Sequence, residues 1–379
     1  MDTRPIGIFD SGAGGLTVLH ECLVTLPHED FLYLGDGARC PYGPRPRDEI
    51  RRFAHEIASY LEDAGVKLIV AACNAATSAA LPELQERLAV PIVGVITPEA
   101  HAAVLTTRNR RIGLLATQAT VTAGRYAELV RTLDAGVRFF PVACPRLVPL
   151  IEGDDVFGEE LTEAVREYAA PLKDAGVDTV ILGCTHYPLI KPILQRVFGR
   201  GVTLVFSAEE TAREAAETLA RKSIENDVGR EGTYRFLTTG DPELFREMGR
   251  RFLQLPIDVA EHVEVAALEA VAGEIRGIDR AREAYTTAAL AQDRLAAITV
   301  LPLEINHLLE PSARLVQPAC LERVVANHPR CERERLPCNR RRGAKRNAPS
   351  LSGQFMTSAN VPILGLVDRL KVERVCFRP

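Results

Sequence analysis

The sequence predicts an α/β protein of parallel, doubly wound sheets, arranged as two related halves and followed by an atypical C-terminal stretch. Three observations predict it. Up to about residue 260, short runs rich in Ile, Val and Leu alternate with helical periodicity, the pattern of repeated βα units. A segment from the first half recurs in the second, each copy leading into a strand that ends in cysteine. Beyond residue 266 the alternation fades and the composition changes.

The elements follow in order. Residues 6–9 read as a strand and 15–26 as a helix; 31–34 form the next strand. Residues 48–64 are an amphipathic helix, with Ile50, Phe53, Ala54, Ile57 and Leu61 on one face. Residues 68–72 are continuously apolar, as expected of a central parallel strand buried on both faces. Similar strands are expected at 92–95, 112–115, 138–141 and 179–182, with helices between them. In the repeat, Leu61-Glu62-Asp63-Ala64-Gly65-Val66 recurs as Leu172-Lys173-Asp174-Ala175-Gly176-Val177, and seven residues after each Val stands a cysteine, Cys73 or Cys184. Ile6-Gly7 is echoed by Ile112-Gly113. Chance likeness of two βα units explains a shared helix-Gly-strand pattern but not a cysteine at the same offset. Two related half-structures, each presenting one cysteine at the carboxyl end of a strand, account for both, and in open α/β sheets that edge is where ligands bind.

Residues 267–379 are expected to be poorly ordered, apart from a helix at 281–298. Between 320 and 346 lie Arg323, Arg330, Arg333, Arg335, Arg340, Arg341, Arg342, Lys345 and Arg346, against Glu322, Glu332 and Glu334. Aromatic residues are not interleaved with these charges, so a solvated segment is favoured over an RNA-binding tail.

Composition narrows the function. The 379 residues are 46% apolar and 25% charged with a net charge of −4. That is enough for a core in two domains, and the balance is wrong for binding nucleic acid by neutralising phosphates. There is no run of the ~20 apolar residues that span a bilayer and no secretory h-region. The nine cysteines are odd in number and scattered, and Cys331 and Cys338 are too far apart for a zinc knuckle. A reducing, cytoplasmic location, with no membrane partner and no metal, is expected.

Three segments can carry chemistry. Asp10-Ser11-Gly12-Ala13-Gly14-Gly15 follows a strand and opens a helix, so its amides can cradle an anion. With Thr17 at the third-glycine position it is not a dinucleotide fingerprint, and no Gly-Lys-Ser/Thr makes it a Walker loop. Asp10 suits either a helix cap or a ligand ammonium group. Arg39-Cys40-Pro41-Tyr42-Gly43-Pro44 is either a rigid surface loop or a source of backbone and hydroxyl contacts. Cys73-Asn74-Ala75-Ala76-Thr77 and Cys184-Thr185-His186-Tyr187-Pro188 are the strongest. A single cysteine at a strand end is usually a core residue. Two related by a repeat, each at a strand-to-helix junction that stabilises thiolate, point to paired thiols, with His186 placed to tune one of them. Two thiols facing one carbon suit removal of a proton from one face and its return to the other. A cysteine hydrolase needs one Cys, one His base and an oxyanion hole. A redox pair needs sulfurs within bonding distance, leaving no room for substrate.

These motifs resemble those of the glutamate racemases, of the cofactor-independent aspartate/glutamate racemase superfamily. The resemblance covers about residues 5–265 through Ile8-Phe9-Asp10-Ser11-Gly12, Gly35-Asp36 with Pro41-Tyr42-Gly43, Ala72-Cys73-Asn74, Pro149-Leu150-Ile151-Glu152, Leu182-Gly183-Cys184-Thr185-His186-Tyr187-Pro188 and Thr238-Thr239-Gly240-Asp241-Pro242. It implies two Rossmann-like domains related by pseudo-twofold symmetry, one from 1–97 with 207–266 and one from 98–206, with L-/D-glutamate bound between them and no pyridoxal phosphate or metal. Cys73 is expected to deprotonate D-glutamate and Cys184 L-glutamate, assisted by Asp10 and His186. Asp10, Ser11, Tyr42, Gly43, Asn74, Ala75, Thr185 and His186 are expected at the substrate, and Asp36, Thr117, Thr120 and Glu152 are further candidates. The resemblance also implies a homodimer and D-glutamate destined for peptidoglycan.

Three departures stand out. Ala75 occupies a position where the family has Thr, removing a hydroxyl contact whose buried loss costs ~1–3 kcal/mol. Ala116 replaces a glycine. The stretch after 266 has no counterpart in the family pattern, as a lineage-specific extension or a reading-frame change. Aspartate racemase differs by one methylene of substrate, and a glutamate-binding protein without turnover is the alternative of another class.

Overall fold

The computed structural model describes residues 2–153, 155–226, 229–274 and 277. The chain opens with β1 (Ile6–Asp10), α1 (Leu16–Thr25), β2 (Phe31–Gly35), α2 (Arg47–Asp63), β3 (Leu68–Ala71), α3 (Asn74–Arg87) and β4 (Ile92–Gly94). It crosses through α4 (Ile96–Thr106) into β5 (Arg111–Ala116), α5 (Gln118–Ala123), α6 (Arg125–Leu133), β6 (Arg138–Ala143), α7 (Leu147–Glu152), α8 (Glu159–Asp174), β7 (Thr179–Gly183), α9 (Lys191–Phe198) and β8 (Thr203–Val205). It returns along α10 (Ser207–Lys222) to β9 (Tyr234–Thr238), α11 (Pro242–Leu253) and β10 (Glu261–His262).

Two all-parallel sheets result. The first lobe is built on a six-stranded sheet of order β10-β9-β2-β1-β3-β4, the second on a four-stranded sheet of order β6-β5-β7-β8. Both contain the same winding: the second strand lies beside the first, then the third, then the fourth. The sequence repeat falls on equivalent pieces of it. Leu61-to-Val66 ends α2 and enters β3; Leu172-to-Val177 ends α8 and enters β7. Gly65 and Gly176 both take a left-handed backbone (φ +81° and +65°), the usual glycine stop of a helix. In both copies the amide of the following valine returns to the carbonyl of the leucine, Val66 to Leu61 at 3.4 Å and Val177 to Leu172 at 3.3 Å. The Ile-Gly echo has a packing reason: a Cβ on Gly7 would stand 3.3 Å from Leu61, and one on Gly113 2.9 Å from Leu172. Each glycine lets a buried helix leucine sit directly on the first strand of its sheet.

The expected strands and α2 are present within a residue or two of their predicted bounds. The five apolar residues of the α2 stripe are all buried, the Ile, Phe and Leu side chains each contributing about 1.5–3 kcal/mol. Strand β6 differs from expectation: it is an edge strand, exposed or half-buried throughout, which is why it tolerates Pro141. Strands β8, β9 and β10 were not anticipated; β8 and β10 are very short, and β9 begins with exposed Tyr234 and Arg235. The helix expected at 281–298 and the basic stretch lie outside the described residues.

Candidate active site

In a doubly wound sheet, ligands bind at the carboxyl ends of the strands, where connections leave to opposite faces. Each lobe has such a point, β1/β3 in the first and β5/β7 in the second. Asp10 and Cys73 flank the first; Thr117 and Cys184 flank the second. All four open on one cavity of about 320 Å³, at the small end for ligand pockets. Ser11, Gly43, Asn74, Ala75, Thr185 and His186 also line it.

Cys73 sits between β3 and α3. Its sulfur caps the helix, accepting the Ala76 amide at 3.5 Å. Burial pushes its thiol well above the ordinary range and the Asp10 charge adds to this, against the amides of Ala76 and Ser11. Cys184 meets a different environment. Its sulfur lies 3.7 Å from His186 Nδ1, and His186 Nε2 lies 2.9 Å from Glu152 Oε1 at the end of α7. Burial disfavours the imidazolium, but the hydrogen bonds and charges of Cys184 and Glu152 outweigh it and push His186 up to about 10. The ring also meets the edge of Phe252 on α11, with centroids 5.0 Å apart. The related halves thus hold their thiols unlike one another, Cys73 capping a helix near Asp10 and Cys184 beside the His186–Glu152 pair.

Asp10 does both things open to it. Its Oδ2 accepts the Gly12 and Gly15 amides at 3.1 and 3.0 Å. Those two amides are therefore not free to cradle an anion, which narrows the sequence reading of the loop and follows from the strong preference of a buried carboxylate for backbone donors. Its Oδ1 is buried without a hydrogen-bond partner, leaving an acceptor for a ligand ammonium group. The Tyr42 hydroxyl is also committed elsewhere: it donates to Asp36, so although Tyr42 lines the cavity its hydroxyl proton is not available for the contact expected there. Asp36 lies beneath the loop and also accepts Arg39 Nε at 2.7 Å and Thr239 Oγ1 at 2.6 Å. Arg39 lies 4.1 Å over the Phe53 ring, so a buried charged network fixes the loop. Thr120 stands behind Thr117, hydroxyl to hydroxyl at 3.1 Å. Ala116 ends β5, paired with Ala143 and Gly183.

Several contacts close the cleft. Thr17 Oγ1 donates to Gly14 O and Thr185 O at 3.0 and 3.2 Å, and the Ala119 amide donates to Gly43 O at 3.0 Å. A Cβ on Gly14 would lie 2.5 Å from the His186 ring, so only glycine lets the first loop approach the second lobe this closely. Asn74 Nδ2 donates to the Tyr126 hydroxyl at 2.8 Å and lies 3.5 Å from Glu99; Tyr126 in turn bonds Glu99. Glu99 is fully buried and burial lifts its carboxyl well above the ordinary range, against the hydrogen bonds of Tyr126 and Asn74.

The sequence reading missed Gln118, Cys144, Val148 and Pro149 on the cavity wall and Glu99 and Tyr126 behind it. Cys144 carried a usable signal, since it too follows the end of a strand; a Glu and a Tyr inside helices carried none. Among the described residues, no helix is long and apolar enough to cross a membrane, and no group of three or more His, Cys, Asp or Glu is placed to hold a metal ion.

Residues 17–215 match the family model described as Asp/Glu/Hydantoin racemase. A glutamate racemase of Listeria monocytogenes serotype 4a is 43% identical over 262 residues, 69% of this chain and 98% of the relative. The chain belongs to this family. It is a racemase, and its fold follows suit. A glutamate racemase of Bacillus anthracis is similar with a TM-score of 0.68 and 38% identity, covering 70% of this chain and 99% of that one. One from Francisella tularensis, solved in complex with D-glutamate, is similar with a TM-score of 0.67 and 33% identity, covering 71% and 100%. Racemisation at a carbon stereocentre exchanges a proton on both of its faces, and this racemase places a buried thiol from each lobe on one cavity.

Proposed function

We propose that this racemase interconverts L- and D-glutamate by a two-base cysteine mechanism, without pyridoxal phosphate or metal, and supplies D-glutamate for peptidoglycan in the cytoplasm. The observation that carries the reading is the pair of equivalent thiols, Cys73 and Cys184, on a single cavity, one capping α3 and one beside His186. With L-glutamate, the Cys184 sulfur, facing the His186 imidazolium, takes the Cα proton. The electron pair stays on carbon, and Cys73 delivers its thiol proton to the opposite face. The thiol and thiolate have then exchanged places, and D-glutamate runs the same steps in reverse. Asp10 Oδ1 receives the substrate ammonium, while the carboxylate that shares the carbanion charge meets the Thr185 hydroxyl and the first backbone amides of α3. Ala75 supplies no hydroxyl here. Glutamate as substrate is supported by the relatives, which are glutamate racemases, and by the D-glutamate complex of a similar structure.

The test is turnover of each glutamate enantiomer in D₂O, followed by circular dichroism and mass spectrometry. Product carrying one deuterium at Cα is expected, because the returned proton comes from a solvent-exchanged thiol; unlabelled product overturns the scheme. Faster initial rates on L-aspartate than on L-glutamate would reassign the substrate. Rescue of a D-glutamate-requiring bacterium tests the cell-wall role, and sedimentation tests the homodimer that accompanies this reading.

A further inference from the structure

We propose that Arg251, on α11 of the first lobe, is a positioning residue for the Cys184 side of the reaction, acting across the cleft through Glu152 and His186. The inference rests on the two-thiol reading and extends it to a residue remote from the substrate. Helix α7 is short, and its last carbonyls lack partners within the helix, as at every helix end. Arg251 supplies them: Nη2 donates to Ile151 O at 2.7 Å and to Gly153 O at 3.3 Å, and Nη1 to Glu152 O at 3.4 Å. Three carbonyls around one guanidinium fix the end of α7 in position and direction, which a point charge on a flexible stem does less well. Glu152 is the last residue of α7, and its carboxylate holds His186 Nε2 at 2.9 Å. The next residue of α11, Phe252, stands nearly perpendicular against the same imidazole.

Helix α11 is itself anchored in the first lobe. His20 of α1 hydrogen-bonds Leu253 O at 2.8 Å, and Arg246 donates to Ile257 O at 3.1 Å. Two adjacent side chains of a first-lobe helix thus determine where the second lobe's imidazole stands, and with it the hydrogen bond to Cys184.

The experiment compares Arg251→Ala and Arg251→Lys with the parent full-length chain, using L- and D-glutamate and their α-deuterated forms. Arg251→Ala is expected to lower kcat about tenfold, the scale of one charge-assisted hydrogen bond, with KM changed less than about twofold. Arg251→Lys is expected to fall between. The isotope effect on kcat/KM should rise for α-deuterated L-glutamate and fall for the D-enantiomer, because only the Cys184 step is slowed. A merely structural loss does not produce that opposition. Unchanged kcat, or isotope effects that move together, overturns the proposal. Full activity of Cys184→Ser would instead overturn the two-thiol reading beneath it. If Arg251→Ala fails to fold, the same isotope readout on Arg251→Lys decides.

Discussion

Replacing Glu152 by Gln should move the basic limb of the pH–rate profile downward. An imidazole raised from 6.5 to about 10 prefers its charged form by about 5 kcal/mol. That preference is the remainder after burial has opposed it, and Cys184 and Glu152 share it. The Glu152 side chain is 28% exposed, so solvent screens its part, and the lower end for a hydrogen bond to a charge, about 1.5 kcal/mol, is the reasonable share. This equals about one pH unit. The sign follows from the protonation state: the scheme needs the imidazolium, activity is lost as pH rises through the His186 value, and a weaker partner brings that loss to lower pH. Gln keeps the shape and an acceptor oxygen, so the ring keeps its place. The assay is kcat/KM by circular dichroism from pH 6 to 11 with both enantiomers. The two enantiomers have equal free energy, so kcat/KM must fall equally in both directions, which checks the data internally. A Glu152→Gln profile that superimposes on the parent would refute the role given to the Cys184–His186–Glu152 chain.

Cys73→Ser and Cys184→Ser should each lower racemisation by about 10²–10⁴-fold, the usual scale of a lost acid or base, with the thermal transition little changed; a single mutant with parental rates sinks the pair. Gly14→Ala places a Cβ 2.5 Å from the His186 ring and should cost about 1–3 kcal/mol by chemical denaturation, together with a lower kcat. Unaltered stability and rate would show that the first loop has room to spare. Glu99 is raised by burial, so its contribution to stability is complete below the unfolded carboxylate value and declines as pH rises toward the folded one. Glu99→Gln does not titrate, so its stability relative to the parent should improve between pH 5 and pH 8, at no more than about 1.4 kcal/mol per pH unit. Parallel pH dependences would contradict a neutral Glu99.

Much of the site was legible in residue order because duplication is a one-dimensional signal. The Leu61-to-Val66 and Leu172-to-Val177 copies, with cysteines at equal offsets, mark two equivalent strand ends in the residue order alone. The strands of both sheet centres were legible because burial on both faces writes an unbroken apolar run; β6 was misjudged as central because its Phe139 and Phe140 imitate such a run at an exposed edge.

By itself, then, the amino-acid order determined the βα alternation, the internal duplication and the two thiols, since each of these is local or periodic. Only the folded chain decided what those thiols are. It turned the Tyr42 hydroxyl toward Asp36, spent two of the loop amides on Asp10, and set His186 between Cys184 and Glu152. It also brought Arg251, far along the chain, onto the end of α7. The reason is physical: the protonation of a buried group depends on the charges and dipoles within a few ångströms of it, and those neighbours come from distant parts of the sequence.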